Sequence, residues 1–243
     1  MHGQTRTRDA PARHRRGRLM GHFPAIGLAA KDLACVRGGQ IVFSGVGFSV
    51  REGQALAVTG ANGVGKTTLL RVLAGLLRPS GGTLTLAGGE PDATLAEQAH
   101  YLGHQDALKP ALTVGENLEF WTRYLDGKGG KGVAGSAPAI ASLETSLETW
   151  GLAALRTLPA ACLSAGQRRR LSLCRLDAVR RPVWLLDEPT AALDAAAQVT
   201  LGKAMTAHLA EGGIIVVATH GPLPIAAHVE LPLVSGRAES KAA

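Results

Sequence analysis

The stretch GANGVGKTT, residues 60–68, decides the fold of this chain. Residues 60–67 match the pattern in which Gly and four variable residues are followed by Gly-Lys and then Ser or Thr, the pattern of a phosphate-binding P-loop. An apolar segment, Ala55–Thr59, precedes the match and predicts a strand. Leucines recur at helical spacing over 67–77 and predict a helix behind the loop. A glycine-rich loop between a strand and a helix is the setting in which this pattern binds phosphate.

The chemistry of the P-loop follows from its residue types. Glycines allow the backbone to curl, so that successive N–H groups point at phosphate oxygens, and the following helix adds the positive end of its dipole. The Lys66 ammonium is expected to reach the terminal phosphates of a nucleotide, and the Thr67 hydroxyl is placed to bind Mg²⁺. The predicted nucleotide-binding residues of the loop are Gly60, Asn62, Gly63, Gly65, Lys66, Thr67 and Thr68.

A later segment, VWLLDE at residues 183–188, supplies a second ligand for the metal. Its four apolar residues predict a buried strand whose carboxyl end presents Asp187 and Glu188. Asp187 is the predicted second Mg²⁺ ligand, directly or through water. Glu188 is the predicted general base that polarises the attacking water. Together with the P-loop, this segment predicts a nucleoside triphosphatase.

The segment LSAGQ, residues 163–167, lies at the start of a helix predicted over 165–180. Ser and Gly at a helix N-terminus form a phosphate-binding position. Because the chain contains a single P-loop motif, this second position is expected to serve the nucleotide of another chain. Three consecutive arginines at 168–170 are expected to form a basic face of the same helix.

The order of predicted elements indicates the fold class. Strands alternate with helices at both ends of the chain, for example the helix predicted over 195–211 before the apolar strand Ile214–Ala218. The middle, from about 105 to 180, is mainly helical, with a surface loop predicted over 126–138. This order predicts an α/β domain into which a mainly helical subdomain is inserted.

Taken together, the motifs resemble those of the ATP-binding subunits of ABC transporters. The P-loop, LSAGQ, the apolar strand ending in DE, ALD at 192–194 and TH at 219–220 occur in the order and spacing of that family, and Gln105 stands where it has a switch glutamine. The similarity covers about residues 28–220. It implies the α/β fold of a P-loop NTPase, an ABC nucleotide-binding domain with an inserted helical subdomain, which binds ATP and Mg²⁺ and hydrolyses ATP.

The same resemblance implies a role for each matching residue. Two copies are expected to pair head to tail, with ATP between the P-loop of one and the LSAGQ segment of the other. Glu188 would act as base, His220 would contact the γ-phosphate, and Gln105 would sense Mg²⁺ as a further metal ligand and report to a membrane partner. The residues implied on the far side of the nucleotide or at the dimer seam are Ser164, Gly166, Gln167 and Asp194.

The chain departs from the family pattern at two places. Ala165 stands where the family usually has Gly, a small change that keeps the backbone N–H donors available. The aromatic residue that stacks on adenine, expected before the glycine pair at 38–39, is absent, and Val36 and Arg37 are the candidates to replace it. Arg37 is the predicted adenine-binding residue because a planar guanidinium can stack on a purine.

A narrower resemblance concerns the haem-export ATP-binding subunits of cytochrome c maturation. It rests on LAC at 33–35, YLGHQ at 101–105, TVGENLEF at 113–120 and LSAGQRRR at 163–170. It implies integral membrane permease subunits as partners, and an ATP cycle that drives release of a haem-loaded chaperone. His104 is not expected to bind haem, since the family does its haem chemistry in the partners.

Other functions stay open at this point. One alternative is an ABC ATPase subunit for a different transported substrate, which the membrane partners would select. A second alternative is a soluble ABC ATPase acting on ribosomes or DNA, although such proteins usually have two nucleotide modules or a long coiled coil. A third is a non-catalytic binding module, which would lack one of the catalytic residues. Lys66, Asp187, Glu188 and His220 are all present.

Composition and charge limit the classes of partner that are expected for this chain. The chain has 243 residues and a net charge of +7, but six of its 26 basic residues are arginines within the first 20 residues. We therefore expect a basic disordered tail or a mis-annotated start over 1–24, an ATP-binding domain over 25–235, a short tail over 236–243, and no direct nucleic-acid partner. No apolar stretch approaches the roughly 18 residues of a membrane span. A peripheral position on the cytoplasmic face of the inner membrane is expected.

Overall fold

A computed structural model describes residues 23–125, 140–226, 228–234 and 236–238, and it contains two sheets. The smaller sheet is antiparallel, with strand order β2-β1-β4. It consists of β1 (Gly27–Arg37), β2 (Gln40–Arg51) and β4 (Gly81–Ala87). The predicted strands over 26–36, 41–50 and 83–87 correspond to these three elements.

The larger sheet has the order β5-β6-β7-β3-β8-β9, and all neighbouring strands are parallel except the last pair. Its strands are β3 (Ala55–Thr59), β5 (Ala99–Leu102), β6 (Val183–Asp187), β7 (Ile214–Ala218), β8 (Val229–Val234) and β9 (Arg237–Ala238). The pair β8 and β9 was not expected from the sequence. The Ser44 hydroxyl on β2 donates to the Gly236 carbonyl at 2.7 Å and ties this edge to the smaller sheet.

The central parallel strands β3, β6 and β7 are buried on both faces, which explains their continuous apolar sequences. Along β3, Leu56 and Val58 face one apolar core, shared with α1 and the smaller sheet. Their neighbours Ala55 and Ala57 face a second core, shared with the helices on the opposite side. β6 and β7 alternate in the same way, so the sheet is the middle layer between two hydrophobic cores.

Besides two short 3₁₀ helices, Ala153–Leu155 and Ala160–Cys162, six α-helices accompany the sheets in the described part of the chain. They are α1 (Lys66–Leu73), α2 (Leu95–Gln98), α3 (Val114–Leu125), α4 (Ile140–Thr149), α5 (Ala165–Ala178) and α6 (Ala195–Ala210). α1 is shorter than predicted: the Leu76 N–H turns back to the Arg71 carbonyl at 2.9 Å, and Leu76 is exposed instead of lying on the buried face.

Helices α3, α4 and α5 lie between β5 and β6 in the chain and pack on one another. Leu118, Leu147 and Leu173, one from each helix, are buried in the second core. The mainly helical middle of the chain is therefore present as predicted. The loop predicted over 126–138, the tail over 1–22 and residues 239–243 lie outside the described residues. Among the described helices, none is long and apolar enough to cross a membrane.

Candidate functional site

Three strand ends meet at one edge of the parallel sheet and bring predicted site residues together. β3 leads into the P-loop, β6 ends at Asp187, and β7 is followed by Thr219 and His220. β7 lies between β3 and β6, so all three ends are neighbours. The carboxyl ends of parallel strands are where open α/β sheets bind ligands.

Two glycines allow the P-loop to fold tightly against its neighbours. Gly60 has a φ of +134°, and a Cβ at this position would overlap the carbonyl oxygen of Leu233. Gly65 has a φ of +110°, and a Cβ there would lie 2.8 Å from Val42 Cγ1. Both positions therefore need glycine for backbone conformation and for space.

Lys66 is the first residue of α1 and is only 8% exposed. Its Nζ donates to the carbonyl oxygens of Gly60 and Ala61, at 2.7 and 3.1 Å. No side chain caps the amino end of α1, where Gly65 is the N-cap residue. The loop thus presents an ammonium and uncapped N–H groups in one place, an arrangement suited to a polyanion.

Asp187, the last residue of β6, is 2% exposed. Its Oδ2 has no hydrogen-bond partner among the described residues. Burial raises the pKa of its carboxyl, and the neighbouring Thr67 hydroxyl acts in the opposite direction. A buried carboxylate oxygen beside a hydroxyl offers the hard oxygen ligands that Mg²⁺ prefers, so Asp187 and Thr67 fit the predicted metal site.

Glu188 and His220 form a hydrogen-bonded pair at the mouth of the site. Glu188 Oε1 lies 2.8 Å from His220 Nδ1, and the Glu188 side chain is 19% exposed. Because a carboxylate only accepts, we assign the proton to Nδ1, which leaves Nε2 exposed to a ligand. Glu188 has a φ of +47°, a left-handed conformation that costs a non-glycine residue about 1–3 kcal/mol. Such strained residues cluster at functional sites.

The LSAGQ segment begins α5 with a capping box. Ser164 Oγ accepts from the Gln167 N–H at 3.2 Å, and Gln167 Oε1 accepts from the Ser164 N–H at 2.8 Å. A Cβ at Gly166 would lie 2.9 Å from the Ala192 carbonyl oxygen, so this turn packs on the ALD segment. Among the described residues, no hydrogen bond joins Ser164 or Gln167 to the P-loop of the same chain.

Gln105 is exposed and lies in the loop between β5 and α3. With its neighbour His104 it lines a groove of about 1270 Å³. The groove also contains Tyr101 and the aromatic side chains of Trp121 and Tyr124 from α3. The loop is held to α3 because the Trp121 Nε1–H donates to the Ala107 carbonyl at 2.9 Å.

Asp194 and Arg37 are the remaining predicted site residues. Asp194 is the N-cap residue of α6, where its carboxylate accepts from the Ala197 N–H at 2.8 Å. Arg37 is exposed at the end of β1, opposite Gln40 of β2. Val36 and its cross-strand partner Ile41 are also exposed, at 44% and 60%. The structure therefore keeps both candidates for the adenine contact at the surface of the β1–β2 hairpin.

Arg169 is a site residue that sequence reasoning missed. The arginines at 168–170 were expected to form a basic face, but Arg169 is 4% exposed and turns inward. Its guanidinium donates to the main-chain carbonyls of Asp187 and Glu188, at 2.8 and 2.9 Å. The local sequence offers one signal only, a charged residue at a helical position whose neighbours at 171 and 173 are apolar core residues.

Residues 43–191, more than half of the chain, match the family model described as ABC transporter. The chain therefore belongs to the ABC transporter family, and it is an ATP hydrolase whose activity is coupled to transport. This confirms the family resemblance and the predicted fold class.

Several curated relatives are similar over most of their length. The chain is 57% identical over 200 residues to "Cytochrome c biogenesis ATP-binding export protein CcmA" of Rhodopseudomonas palustris (strain BisB5), covering 82% of this chain and 94% of the relative. It is 58% identical to the protein of that name from Nitrobacter winogradskyi, with the same coverage. For the one from Paramagnetospirillum magneticum the identity is 48% over 208 residues, covering 84% and 93%.

Solved structures show the same fold. A structure described as the ATP-binding subunit of an ABC transporter has a TM-score of 0.72 at 24% identity, covering 88% of each chain. The cbiO1 protein from Clostridium perfringens, described as part of the ABC transporter complex cbiONQ, has a TM-score of 0.67 at 24% identity. It covers 88% of this chain and 86% of that protein.

Proposed function

We propose that this chain binds and hydrolyses ATP to power haem export, or haem-chaperone release, during maturation of c-type cytochromes. The observation that carries the catalytic part is the group at the sheet edge, where the Glu188–His220 pair lies beside Asp187 and Thr67. The transport role rests on the relatives, which are named for cytochrome c biogenesis and export. The proposed ATP-binding domain spans 25–235, with its helical part at about 105–180.

In the proposed reaction the P-loop binds the phosphates through the Lys66 ammonium and the N–H groups of α1. Thr67 and Asp187, with Gln105 as the third predicted ligand, would hold a Mg²⁺ ion, which neutralises phosphate charge when bound. The Glu188 carboxylate accepts a proton from the attacking water. His220 donates from Nδ1 to Glu188 and keeps that carboxylate oriented, and on this proposal its other ring nitrogen, Nε2, would contact the γ-phosphate.

A complete site is proposed to need a second copy of the chain. Ser164, Gly166 and Gln167 are tied to their own helix start and to the ALD segment, so they are presented together at a surface. Head-to-tail pairing would place them on the nucleotide bound by the partner's P-loop, with Asp194 at the seam. On this proposal the Arg37 guanidinium covers the adenine.

The membrane partner is proposed to be a set of integral permease subunits. The groove beside Gln105 is lined by aromatic side chains of α3 and by arginines at 175, 180 and 181, and it is large enough for a short helix of a partner. The loop that carries Gln105 links this groove to the nucleotide site. Docking there would place the chain peripherally on the cytoplasmic face of the inner membrane.

The proposal is tested by staining for covalent haem in cells that lack the gene. Wild-type protein should restore c-type cytochromes, and Glu188→Gln should not, although it should be produced at the same level. Normal cytochromes in the deletion strain would remove the maturation role. They would leave an ABC ATPase for a different transported substrate, to be sought by copurifying its permease.

A further inference from the structure

The guanidinium of Arg169 joins two segments that the sequence keeps far apart. Its Nη2 donates to the carbonyl oxygens of Asp187 and Glu188, at 2.8 and 2.9 Å. Its Nη1 donates to the Gly103 carbonyl oxygen at 2.9 Å and lies 3.4 Å from Asp106 Oδ1. A single buried side chain on α5 therefore bonds to the end of β6 and to the loop after β5.

The two bonds from Nη2 constrain the backbone of Glu188 on both sides. The Asp187 carbonyl belongs to the peptide that precedes the φ bond of Glu188, and the Glu188 carbonyl belongs to the peptide that follows its ψ bond. The Glu188 N–H is also held, because it donates to the Ala218 carbonyl at 2.9 Å. Glu188 keeps a φ of +47°, which needs this kind of external support.

The bonds from Nη1 act on the other segment. Gly103 and Asp106 flank His104 and Gln105, the loop residues that line the groove. Only an arginine has a planar fork that can reach both segments at once, since its two terminal nitrogens carry donors in fixed directions. Through these bonds one guanidinium holds both the loop after β5 and the backbone that aims the Glu188 carboxylate.

We propose that Arg169 is a positioning residue for ATP hydrolysis, which holds Glu188 in its left-handed conformation and ties it to the loop of Gln105. This inference rests on the proposed role of Glu188 as base. Arg169 contacts no P-loop residue through any hydrogen bond of the described chain, so nucleotide affinity should not depend on it.

The experiment compares Arg169→Gln and Arg169→Lys with wild type, using the full chain with MgATP well below the melting temperature of every variant. Arg170→Gln is the matched control, since Arg170 is the next residue of α5 and donates instead to the Trp150 carbonyl at 3.1 Å. We expect Arg169→Gln to lower kcat by about 10- to 100-fold, as small misplacements of a catalytic group do, with the Kd for ATP within about twofold of wild type.

The kcat of Arg169→Lys should lie between those of wild type and Arg169→Gln, because an ammonium can bond to one segment but cannot span both. The control should keep kcat and Kd within about twofold of wild type. A kcat of Arg169→Gln within about twofold of wild type would overturn the inference. A loss of ATP affinity equal to the loss of kcat would also overturn it, because it would show a general structural defect.

If Arg169→Gln does not fold, Arg169→Lys alone tests the positioning role of Arg169. A kcat of Arg169→Lys equal to that of wild type then contradicts this role. Failure of the underlying proposal gives a different pattern. In that case Glu188→Gln, measured beside these variants, keeps its hydrolysis, whereas failure of the Arg169 inference leaves Glu188→Gln inactive and Arg169→Gln active.

Discussion

The P-loop and the LSAGQ segment both lead into helix N-termini, yet the two helix starts are built differently. α1 begins at Lys66, after the N-cap residue Gly65, without a side-chain cap among the described residues, and the Lys66 ammonium is held inside the loop. α5 begins with a complete capping box between Ser164 and Gln167. The P-loop thus offers unsatisfied N–H groups and an ammonium for the proposed phosphate site, whereas the LSAGQ segment satisfies its own helix start and is proposed to meet the nucleotide of a second copy.

The two helix starts differ in how much free energy a bound phosphate can gain there. An uncapped helix start leaves N–H groups that a phosphate can satisfy, so binding at the P-loop replaces missing partners. A capped start has already satisfied some of them, so nucleotide contact there gains less free energy. We therefore expect a single chain to bind ATP through its P-loop and to hydrolyse it slowly until a second copy closes over it.

The largest expected effect is a loss of kcat that leaves both helix starts unchanged. Glu188→Gln should lower kcat by about 10²- to 10⁴-fold, because it removes the general base. ATP affinity should be retained, since Lys66 and α1 are unchanged, and a dimer should accumulate in ATP. Single-turnover hydrolysis and size-exclusion chromatography measure the two properties. Normal turnover by Glu188→Gln would show that the base is assigned to the wrong residue.

The next effect tests whether the P-loop alone determines affinity. Lys66→Ala removes a charged hydrogen-bond donor worth about 1.5–3 kcal/mol, which corresponds to about a 10- to 150-fold weaker Kd for ATP. Equilibrium binding to a dilute, monomeric chain measures it. Lys203→Ala, an exposed lysine of α6, is the control and should bind like wild type. Equal Kd values for ATP of Lys66→Ala and Lys203→Ala would show that the P-loop lysine does not determine ATP affinity.

A mixing experiment tests whether the two helix starts act across copies. Lys66→Ala disables the P-loop, and Ser164→Arg places a bulky charge at an exposed position of the LSAGQ segment. At an ATP concentration that saturates wild type but lies well below the Kd of Lys66→Ala, each variant alone should be inactive. Random pairing of equal amounts gives mixed dimers with one intact site, so activity should recover to about a quarter of wild type. Mixed dimers that form without recovering activity would argue against composite sites.

The smallest effect concerns the capping box itself. Ser164→Ala removes the Ser164 oxygen that accepts from Gln167, and it should cost about 1 kcal/mol of stability. For a chain of this size the melting temperature should fall by about 2–4 °C. ATP affinity of the dilute chain should stay at the wild-type value, in contrast to Lys66→Ala. Calorimetry beside nucleotide titration checks both numbers, and a weaker Kd would mean that the segment binds ATP within its own chain.

Much of the candidate site could be predicted because its motifs are local. The P-loop is a contiguous run whose glycines, lysine and threonine have fixed roles, and an apolar strand that ends in two acids is readable in six residues. The apolar strands of the parallel sheet were predicted for the same reason, since both of their faces are buried. Strand β8 was missed because its residues alternate between buried and exposed, and the edge strand β9 was missed because it has only two residues.

Other features depend on residues that are distant in the chain. In the sequence, Arg169 is one of three arginines expected at the surface. In the fold, its guanidinium bonds to the carbonyl of Gly103, which lies 66 residues away in the chain. The left-handed conformation of Glu188 has no signature in its sequence. Likewise, the pairing of Glu188 with His220 spans 32 residues and forms because β6 and β7 are neighbours.

The fold class, the family and the residue types available for phosphate and metal binding could therefore be predicted from the sequence, because each depends on short runs with a fixed local geometry. Tertiary structure alone decided how these residues are aimed. It buried Asp187 with an unpartnered oxygen, strained Glu188 and turned Arg169 inward. The physical reason is that orientation comes from hydrogen bonds and burial between segments, which the local sequence does not encode.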